Sequence, residues 1–292
     1  MFEIFNKQII AQDIKRIDVY APDIAQRVQP GQFVRVCPEE GSENIPLSVV
    51  DWDVKKGTIS LIFQEEGDTT GKLGSLPIQE SIFSVLGPLG VASKIDKKGI
   101  VVCLATGMGA AQILPICRGF QKAGNKVIGI IGARTKKKLL LESQMRIACH
   151  KIFITTEDGS YEKKGLATDV LKELIHKKEV DFVYTIGAIE MMQDVCRLTK
   201  AKHIETRVQL KPIMVDCVGM CGSCRVKVNN KIIFSCIDGP EFDGHQVDFD
   251  DFLKRMQGFK ESDKCHSGKQ QFSPEKKELG PLMRFLSGIL SD

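Results

Sequence analysis

In the stretch MVDCVGMCGSCRVKVNNKIIFSC, two residues separate Cys221 from Cys224 and eleven more precede Cys236. A close thiol pair with a remote third sulfur is a ligand set for soft metals. Plant-type [2Fe–2S] sites are spaced as Cys, four residues, Cys, two residues, Cys, then a distant Cys. The first position of that pattern, five before Cys221, holds Asp216, and a cysteine stands one place later at Cys217. Either Asp216 supplies a carboxylate oxygen to one iron, or Cys217 supplies sulfur. A structural zinc is the competing use of such thiols. Zinc favours two well-separated ligand pairs closing a tetrahedron, whereas here three candidates crowd one loop and Cys236 stands apart, which favours the cluster.

The elements that must hold these ligands are readable nearby. RVKV, Asn229-Asn230 and KIIF read as a β-hairpin whose two central residues tolerate positive φ. Pairing Val228 with Lys231 would return Cys236 beside Ser223 and Cys224. Gly219 and Gly222 suit a loop that wraps closely around inorganic sulfide and offers it backbone N–H groups.

Upstream lie the marks of nucleotide binding. Strand-like Ile100 to Leu104 runs into Gly107 and Gly109 and then an amphipathic helix ending at Ala123-Gly124. The third glycine of a dinucleotide fingerprint would fall at Gln112, and no acidic residue closes the second strand, which ends in Gly132-Ala133-Arg134. What remains is a glycine turn whose amides and helix N-terminus suit phosphates. Arg134 is either a 2′-phosphate ligand or a solvated surface residue. In GDTTGKL, Thr69 and Thr70 sit near a helix start suited to a diphosphate, although an ordinary helix cap explains them equally.

Two kinds of texture divide the chain. Before residue 98, six short alternating runs (FEIFNKQII, KRIDVY, QFVRVC, PLSVVDWD, TISLIFQ, SIFSVLG), with no helical period between them, predict an antiparallel β-barrel. In TISLIFQ, Ile59, Leu61 and Phe63 face one way and Ser60, Ile62 and Gln64 the other. From residue 98, strands alternate with helices, which predicts a parallel α/β sheet with ligands at the carboxyl ends of its strands. The fold class is therefore two-domain, all-β followed by α/β. The expected divisions are a barrel over 1–97, a nucleotide-binding domain over 98–208, a cluster module over 209–257 and a polar tail over 258–292. Within the tail, apolar residues at helical spacing over 279–290 predict a short docking helix.

Composition narrows the class. A net charge of +4 over 292 residues is too small to argue for nucleic acid, and an apolar content of 42% supports full cores. Ten cysteines in a chain of this length are not a disulfide framework. Cys37, Cys103, Cys117, Cys149 and Cys196 read as buried free thiols. The start of the chain reads as a strand rather than a signal peptide, and the expected location is the cytoplasm. The uncharged run over 99–117 is interrupted by Gly107, Gly109 and Pro115, and reads as strand, turn and helix rather than a membrane span. The five histidines are scattered and predict no catalytic constellation. Asp243, His245, Asp248, Asp250 and Asp251 read as the charged start of a helix rather than a metal site.

Barrel, parallel nucleotide domain and cluster loop, in that order, resemble the ferredoxin-reductase-like flavoproteins with an appended [2Fe–2S] module. Within them the chain is most similar to the small subunits of the sulfide dehydrogenase and NADH-dependent ferredoxin:NADP oxidoreductase family. The electron-transfer subunit of dihydroorotate dehydrogenase B is a more distant relative. The marks are PGQFV at 30–34, IPLS at 45–48, DWD at 51–53, GPLG at 87–90, GARTK at 132–136, DGSYxxKG at 158–165, MVD at 214–216 and CxDGPEFDGHxVDFD at 236–250.

The resemblance implies FAD, NAD(H) and a [2Fe–2S] cluster as cofactors. It assigns FAD contacts to Pro46, Leu47 and Ser48, with Gly67, Thr69 and Thr70 near the diphosphate. Gly107 and Gly109 would face the nicotinamide nucleotide, framed by Asp158, Gly159 and Gly187, with Arg134 nearby. Asp216, Cys221, Cys224 and Cys236 match a branch in which Asp replaces the first cysteine ligand, and Cys217 stands where that branch commonly has glycine. Ile45 replaces an arginine found in many relatives. The implied activity is transfer of a hydride from NADH to flavin and of single electrons through the cluster to a partner. That partner would be a larger flavin and [4Fe–4S] subunit linked to NADPH and ferredoxin, or alternatively a dihydroorotate or sulfide dehydrogenase. A reading from another class, a non-enzymatic iron–sulfur redox sensor, calls for an output element that the sequence does not display.

Overall fold

A computed structural model describes residues 2–267 of the chain. The docking helix expected over 279–290 lies outside the described residues. The first sheet is built from β1 (Phe2–Ala11), β2 (Ile14–Tyr20), β3 (Phe33–Cys37), β4 (Ile45–Asp53), β5 (Thr58–Gln64), β6 (Ser81–Ile82) and β7 (Ser84–Leu89). Its order is β6-β1-β2-β5-β4-β3-β7, with every pairing antiparallel, and it curls into a nearly closed barrel. Alternation explains it: Ile17, Val19, Ile59, Leu61 and Phe63 meet inside the barrel, each burial stabilising by about 1.5–3 kcal/mol. On the outer face, Ile14, Val50 and Ile62 pack into the core of the following domain.

Two details differ from the six unbroken strands expected. The run over 81–89 divides at Phe83, which is exposed. A short helix, α1 (Pro22–Arg27), also interrupts the barrel, whereas α2 (Asp68–Ser75) is the helix expected to open at GDTTGKL. Proline at its start pre-sets φ for α1, while Ile24 and Ala25 bury against the barrel core. Six residues are too few to show a helical period in sequence.

The second sheet takes β8 (Ile100–Thr106), β9 (Lys126–Ala133), β10 (Lys151–Thr156), β11 (Lys163–Lys164), β12 (Phe182–Ile186) and β13 (Glu205–Gln209), all parallel. Helices α3 (Gly109–Lys122), α4 (Glu142–Ala148), α5 (Ala167–His176) and α6 (Ile189–Lys200) connect them. One core, with Ile113, Cys117, Phe120 and Met145, forms on the face covered by α3 and α4; another, with Val170, Leu171, Leu174 and Val195, forms under α5 and α6. The uncharged run over 99–117 becomes β8, a turn and part of α3, and among the described residues no helix is long and apolar enough to cross a membrane. Cys37, Cys103, Cys117, Cys149 and Cys196 are buried free thiols.

Beyond β13 the chain forms the hairpin β14 (Arg225–Val228) and β15 (Lys231–Phe234), with Val228 opposite Lys231 as expected. Asn229 and Asn230 have φ of 50° and 59°, the left-handed pair that a tight hairpin turn demands. A short turn of helix, α7 (Ser235–Asp238), carries Cys236. Then β16 (Glu241–Asp243) joins the second sheet antiparallel to β13, pairing Gln209 with Glu241. The cluster segment is thus laced to the nucleotide sheet at both ends. Helix α8 (Phe249–Ser267) follows, its first turn capped by the Asp248 carboxylate accepting the Asp251 N–H at 3.0 Å, as the acidic run predicts.

Candidate redox-cofactor site

In the second sheet the order β10-β9-β8-β12-β13 reverses direction between β8 and β12. A crevice opens there outside the carboxyl ends of the strands, where α/β sheets hold nucleotides. Its cavity of about 550 Å³ is lined by Thr106, Gly107, Gly132, Arg134, Thr155 and Glu157, among others. Gly107 has φ +55° and open space around it, so the chain can turn sharply at the mouth. Gly109 does a different job: a Cβ there would stand 2.5 Å from the Ile186 carbonyl oxygen, so glycine lets α3 start tightly against β12. Gly187 likewise leaves room for the Thr106 side chain. Asp158 and Gly159 lie in the turn after β10; the Asp158 Oδ1 accepts the Ser160 N–H at 2.9 Å, which, foremost among its contacts, holds its carboxyl below the usual range. Within that turn Glu157, not singled out in the sequence, is the residue that lines the cavity. Thr155 Oγ1, also unforeseen, is buried without a hydrogen-bond partner.

A second cavity, also about 550 Å³, lies along the start of α2, lined by Ser42, Ile45, Gly67, Thr69, Thr70 and Lys72, among others. The Thr70 hydroxyl accepts the N–H groups of Glu66 and Gly67 at 3.0 and 3.1 Å, and so serves as a cap. Glu43, Glu66 and Asp68 bring negative charge to the same walls, with Lys72 as the cation.

A third, central cavity of about 90 Å³ draws its walls from distant parts of the chain. Pro46 and Ser48 come from the barrel, Gln112 from α3, and Gln209 to Pro212 and Met214 from the segment leading to the cluster loop. Leu47, between Pro46 and Ser48, points instead into the barrel core. Lys211 lines the cavity and is exposed to solvent, while protein crowding its ammonium pushes it down to about 8, with Glu66 of the second cavity opposing the shift. Gln112 Oε1 is buried without a partner. Its position where a third fingerprint glycine was due is the sequence signal that marked it; Lys211 carried no such signal.

The cluster loop begins one residue beyond. Phe33, Met214, Cys217, Cys224 and Cys236 pack together in one buried group. Cys224 Sγ and Cys236 Sγ are 3.3 Å apart, and burial followed by their mutual hydrogen bond pushes the Cys236 thiol up to about 12. Asp216 organises the loop itself: its carboxylate accepts the N–H groups of Val218 at 3.1 Å, Met220 at 2.8 Å and Cys221 at 2.6 Å. Desolvation works to raise its pKa, but these donors outweigh it and hold the carboxyl below its usual value. Cys221 is exposed, with Sγ 3.1 Å from Ser223 Oγ. Cys217 is buried with φ +62°, a left-handed conformation shared with Gly219 and Gly222. That conformation is the physical reason glycine suits position 217.

These residues fit an iron–sulfur cluster. The donors fall into two sets, Cys224 with Cys236 and Asp216 with Cys221. Among the described residues no three His, Cys, Asp or Glu side chains converge on one point, so the four predicted ligands are not gathered into a single group. Ser235 Oγ, adjacent to Cys236, is buried without a partner, a donor available to a cluster sulfur. The central cavity, about 90 Å³, admits one edge of a flavin rather than the whole ring: apolar walls from Phe33, Pro46, Leu210 and Met214 beside an unpaired amide oxygen suit a ring edge bearing N–H groups.

Comparison with known proteins agrees. Residues 211–248 match the iron–sulfur cluster binding domain of dihydroorotate dehydrogenase B. A Thermotoga maritima protein named as a homolog of the dihydroorotate dehydrogenase B (NAD(+)) electron transfer subunit is 36% identical over 262 residues, 90% of this chain and 93% of the relative. The chain belongs to this electron-transfer-subunit family. A Clostridium beijerinckii protein, described as an uncharacterized protein in the adh 3′ region, is 38% identical over 284 residues, covering 94% of this chain and 95% of its own. A solved structure of NADH-dependent reduced ferredoxin–NADP oxidoreductase, described in terms of flavin-based electron bifurcation, superimposes with a TM-score of 0.85 at 34% identity, covering 91% of this chain and 96% of that one. The family fold is ferredoxin-reductase-like, a barrel followed by a parallel α/β sheet, as expected from sequence.

Proposed function

We propose that this chain is an electron-transfer flavoprotein subunit that exchanges a hydride with NAD(H) and passes single electrons to a partner subunit. The reading rests on one observation above all: the central cavity touches everything it must connect. Pro46 and Ser48 bring the barrel, Gln112 the nucleotide domain, and Met214 packs in the same buried group as Cys224 and Cys236. Bound FAD would supply hydride acceptance and one-electron release, and a [2Fe–2S] cluster would supply one-electron carriage.

The chain's own task is to place these groups. Gly107, with Thr106 and Arg134, would hold the nicotinamide nucleotide at the switch point; Asp158, Gly159 and Gly187 shape the loops framing it, and Gly109 seats α3. Pro46, Ser48 and the backbone of Leu47 would line the flavin, with Gly67, Thr69 and Thr70 along its diphosphate. Asp216, Cys221, Cys224 and Cys236 would hold the cluster. The division into barrel, nucleotide domain and cluster module at residues 97/98 and 208/209 follows these tasks, although β16 stitches the last module back to the second sheet.

An outlet for electrons is supported by the loop surface. Met220 is 87% exposed, beside exposed Val215, Val218 and Ile237, around Cys221. These apolar side chains suit docking of a larger redox subunit carrying flavin and [4Fe–4S] centres, linked to NADPH and ferredoxin, at the point where electrons leave. Service to a dihydroorotate dehydrogenase uses the same parts, and the partner recovered with the chain distinguishes the two. The decisive measurement is a visible spectrum of anaerobically purified protein with flavin, iron and sulfide analysis, followed by NADH-driven reduction of an artificial acceptor. Absence of both flavin and iron would sink the proposal.

A further inference from the structure

Gln112 occupies the first turns of α3, where the dinucleotide fingerprint would have placed its third glycine. Helix α3 packs between β4 of the barrel and the second sheet, and this carries Gln112 into the wall of the central cavity opposite Pro46 and Ser48. Its Oε1 is buried and has no hydrogen-bond partner. Other polar side chains line the cavity without meeting that need. Gln209 Oε1 is itself an acceptor, taking the Tyr184 hydroxyl at 3.4 Å, and neither Ser48 nor the Lys211 ammonium bonds Gln112.

Buried polar atoms nearly always find partners, because leaving one unpaired forfeits its hydration with no return. An amide oxygen accepts, so the missing partner is an N–H or O–H donor. The walls around it (Phe33, Pro46, Leu210, Pro212, Met214 and Pro240) are apolar, and the volume of about 90 Å³ admits the N–H-bearing edge of a ring or a carboxamide. We infer that Gln112 positions a redox cofactor in this cavity, its Oε1 accepting an N–H either from the flavin ring or from the carboxamide of nicotinamide. This rests on the FAD and NAD(H) reading above and adds a contact made by a side chain that a fingerprint glycine would lack. Gln112 is a positioning residue: it orients the ring and takes no part in bond making.

The test is Gln112→Met in the full chain, which keeps length and removes the amide. Gln112→Ser repeats it should methionine overfill the cavity. Three quantities are read: thermal stability of the flavin-depleted protein, FAD affinity by fluorescence quenching, and affinity for NAD⁺ and for ADP-ribose by calorimetry. Because Oε1 bonds nothing in the protein, the flavin-depleted variant is expected to melt no lower than the parent. One cofactor is expected to bind about 10-fold more weakly, as for loss of one buried hydrogen bond. If the flavin ring is the donor, FAD weakens and the NAD⁺ to ADP-ribose ratio holds. If nicotinamide is the donor, NAD⁺ weakens while ADP-ribose, which lacks that ring, is unchanged. Unchanged affinity for both cofactors overturns the inference while leaving the functional reading intact. So does a melting temperature lowered by several degrees in the flavin-depleted variant, which would make the amide structural. A parent protein that binds neither FAD nor NAD⁺ removes the functional reading and this inference together.

Discussion

Cys224 Sγ and Cys236 Sγ lie 3.3 Å apart, brought together by a hairpin only four residues long on each side. The Asn229-Asn230 turn sets that register, since both residues hold positive φ. Asn229→Val is expected to destabilise the protein by about 1–2 kcal/mol, the cost of a left-handed conformation for a β-branched residue, and to lower iron content. Asn230→Gly should leave both unchanged or slightly improved. Thermal melts with parallel iron analysis test the pair; equal iron and equal melting temperature for Asn229→Val would count against the hairpin as the element that brings the thiols together.

Asp216 and Cys217 should differ sharply when replaced. Asp216→Ala removes a proposed ligand and also three hydrogen bonds to loop N–H groups. Most of the cluster is expected to be lost. Cys217→Gly relieves roughly 1 kcal/mol of left-handed strain while giving up burial of a small side chain of similar worth, so stability and iron content should hold. Electron paramagnetic resonance of the reduced protein reads both; an unchanged signal in Asp216→Ala would transfer the ligand role to Cys217.

Gly107 and Gly109 flank one residue but should respond differently to alanine. At Gly109 the new Cβ meets the Ile186 carbonyl at 2.5 Å, backbone against backbone, so α3 or β12 must shift, at about 1–3 kcal/mol. At Gly107 space is open and only the φ of +55° is strained, about 1 kcal/mol. Urea melts should rank Gly109→Ala as the more destabilised, with NAD⁺ affinity following the same order.

His245 makes stability depend on pH. Its Nε2 lies 2.9 Å from Thr199 Oγ1, and burial lowers its pKa below the ordinary 6.5, with Asp243 opposing and Lys200 reinforcing the shift. Below pH 6.5 the unfolded chain therefore binds more protons than the folded one. Stability is expected to fall as pH drops from 6.5 through the folded pKa, and to show no His245 contribution well above 6.5. His245→Gln should flatten that slope in melts collected between about pH 5 and 7; a slope identical to the parent's would assign the dependence to other groups.

Much of the fold was legible because its signals are local. Alternation in TISLIFQ announced a strand with two environments, which are the barrel core for Ile59, Leu61 and Phe63 and the core of the next domain for Ile62, and Asn229-Asn230 announced the turn that pairs Val228 with Lys231. Helix α1 was missed because six residues cannot display a helical period. Glu157, rather than its neighbour Asp158, reaches the nucleotide cavity because the turn after β10 folds Asp158 back onto Ser160, a choice that no spacing rule encodes.

By itself the sequence determined the spacing of Cys221, Cys224 and Cys236, the order of barrel and α/β sheet, and the glycine turn at 107. Each is written in residues close enough along the chain to constrain one another directly. Only the tertiary structure decided that Pro46, Gln112, Lys211 and Met214 share one cavity, that β16 returns to β13, and that Cys217 is buried in a left-handed turn. Those facts depend on packing between segments tens to more than a hundred residues apart, where the energy lies in the contact and leaves no periodic trace in either segment.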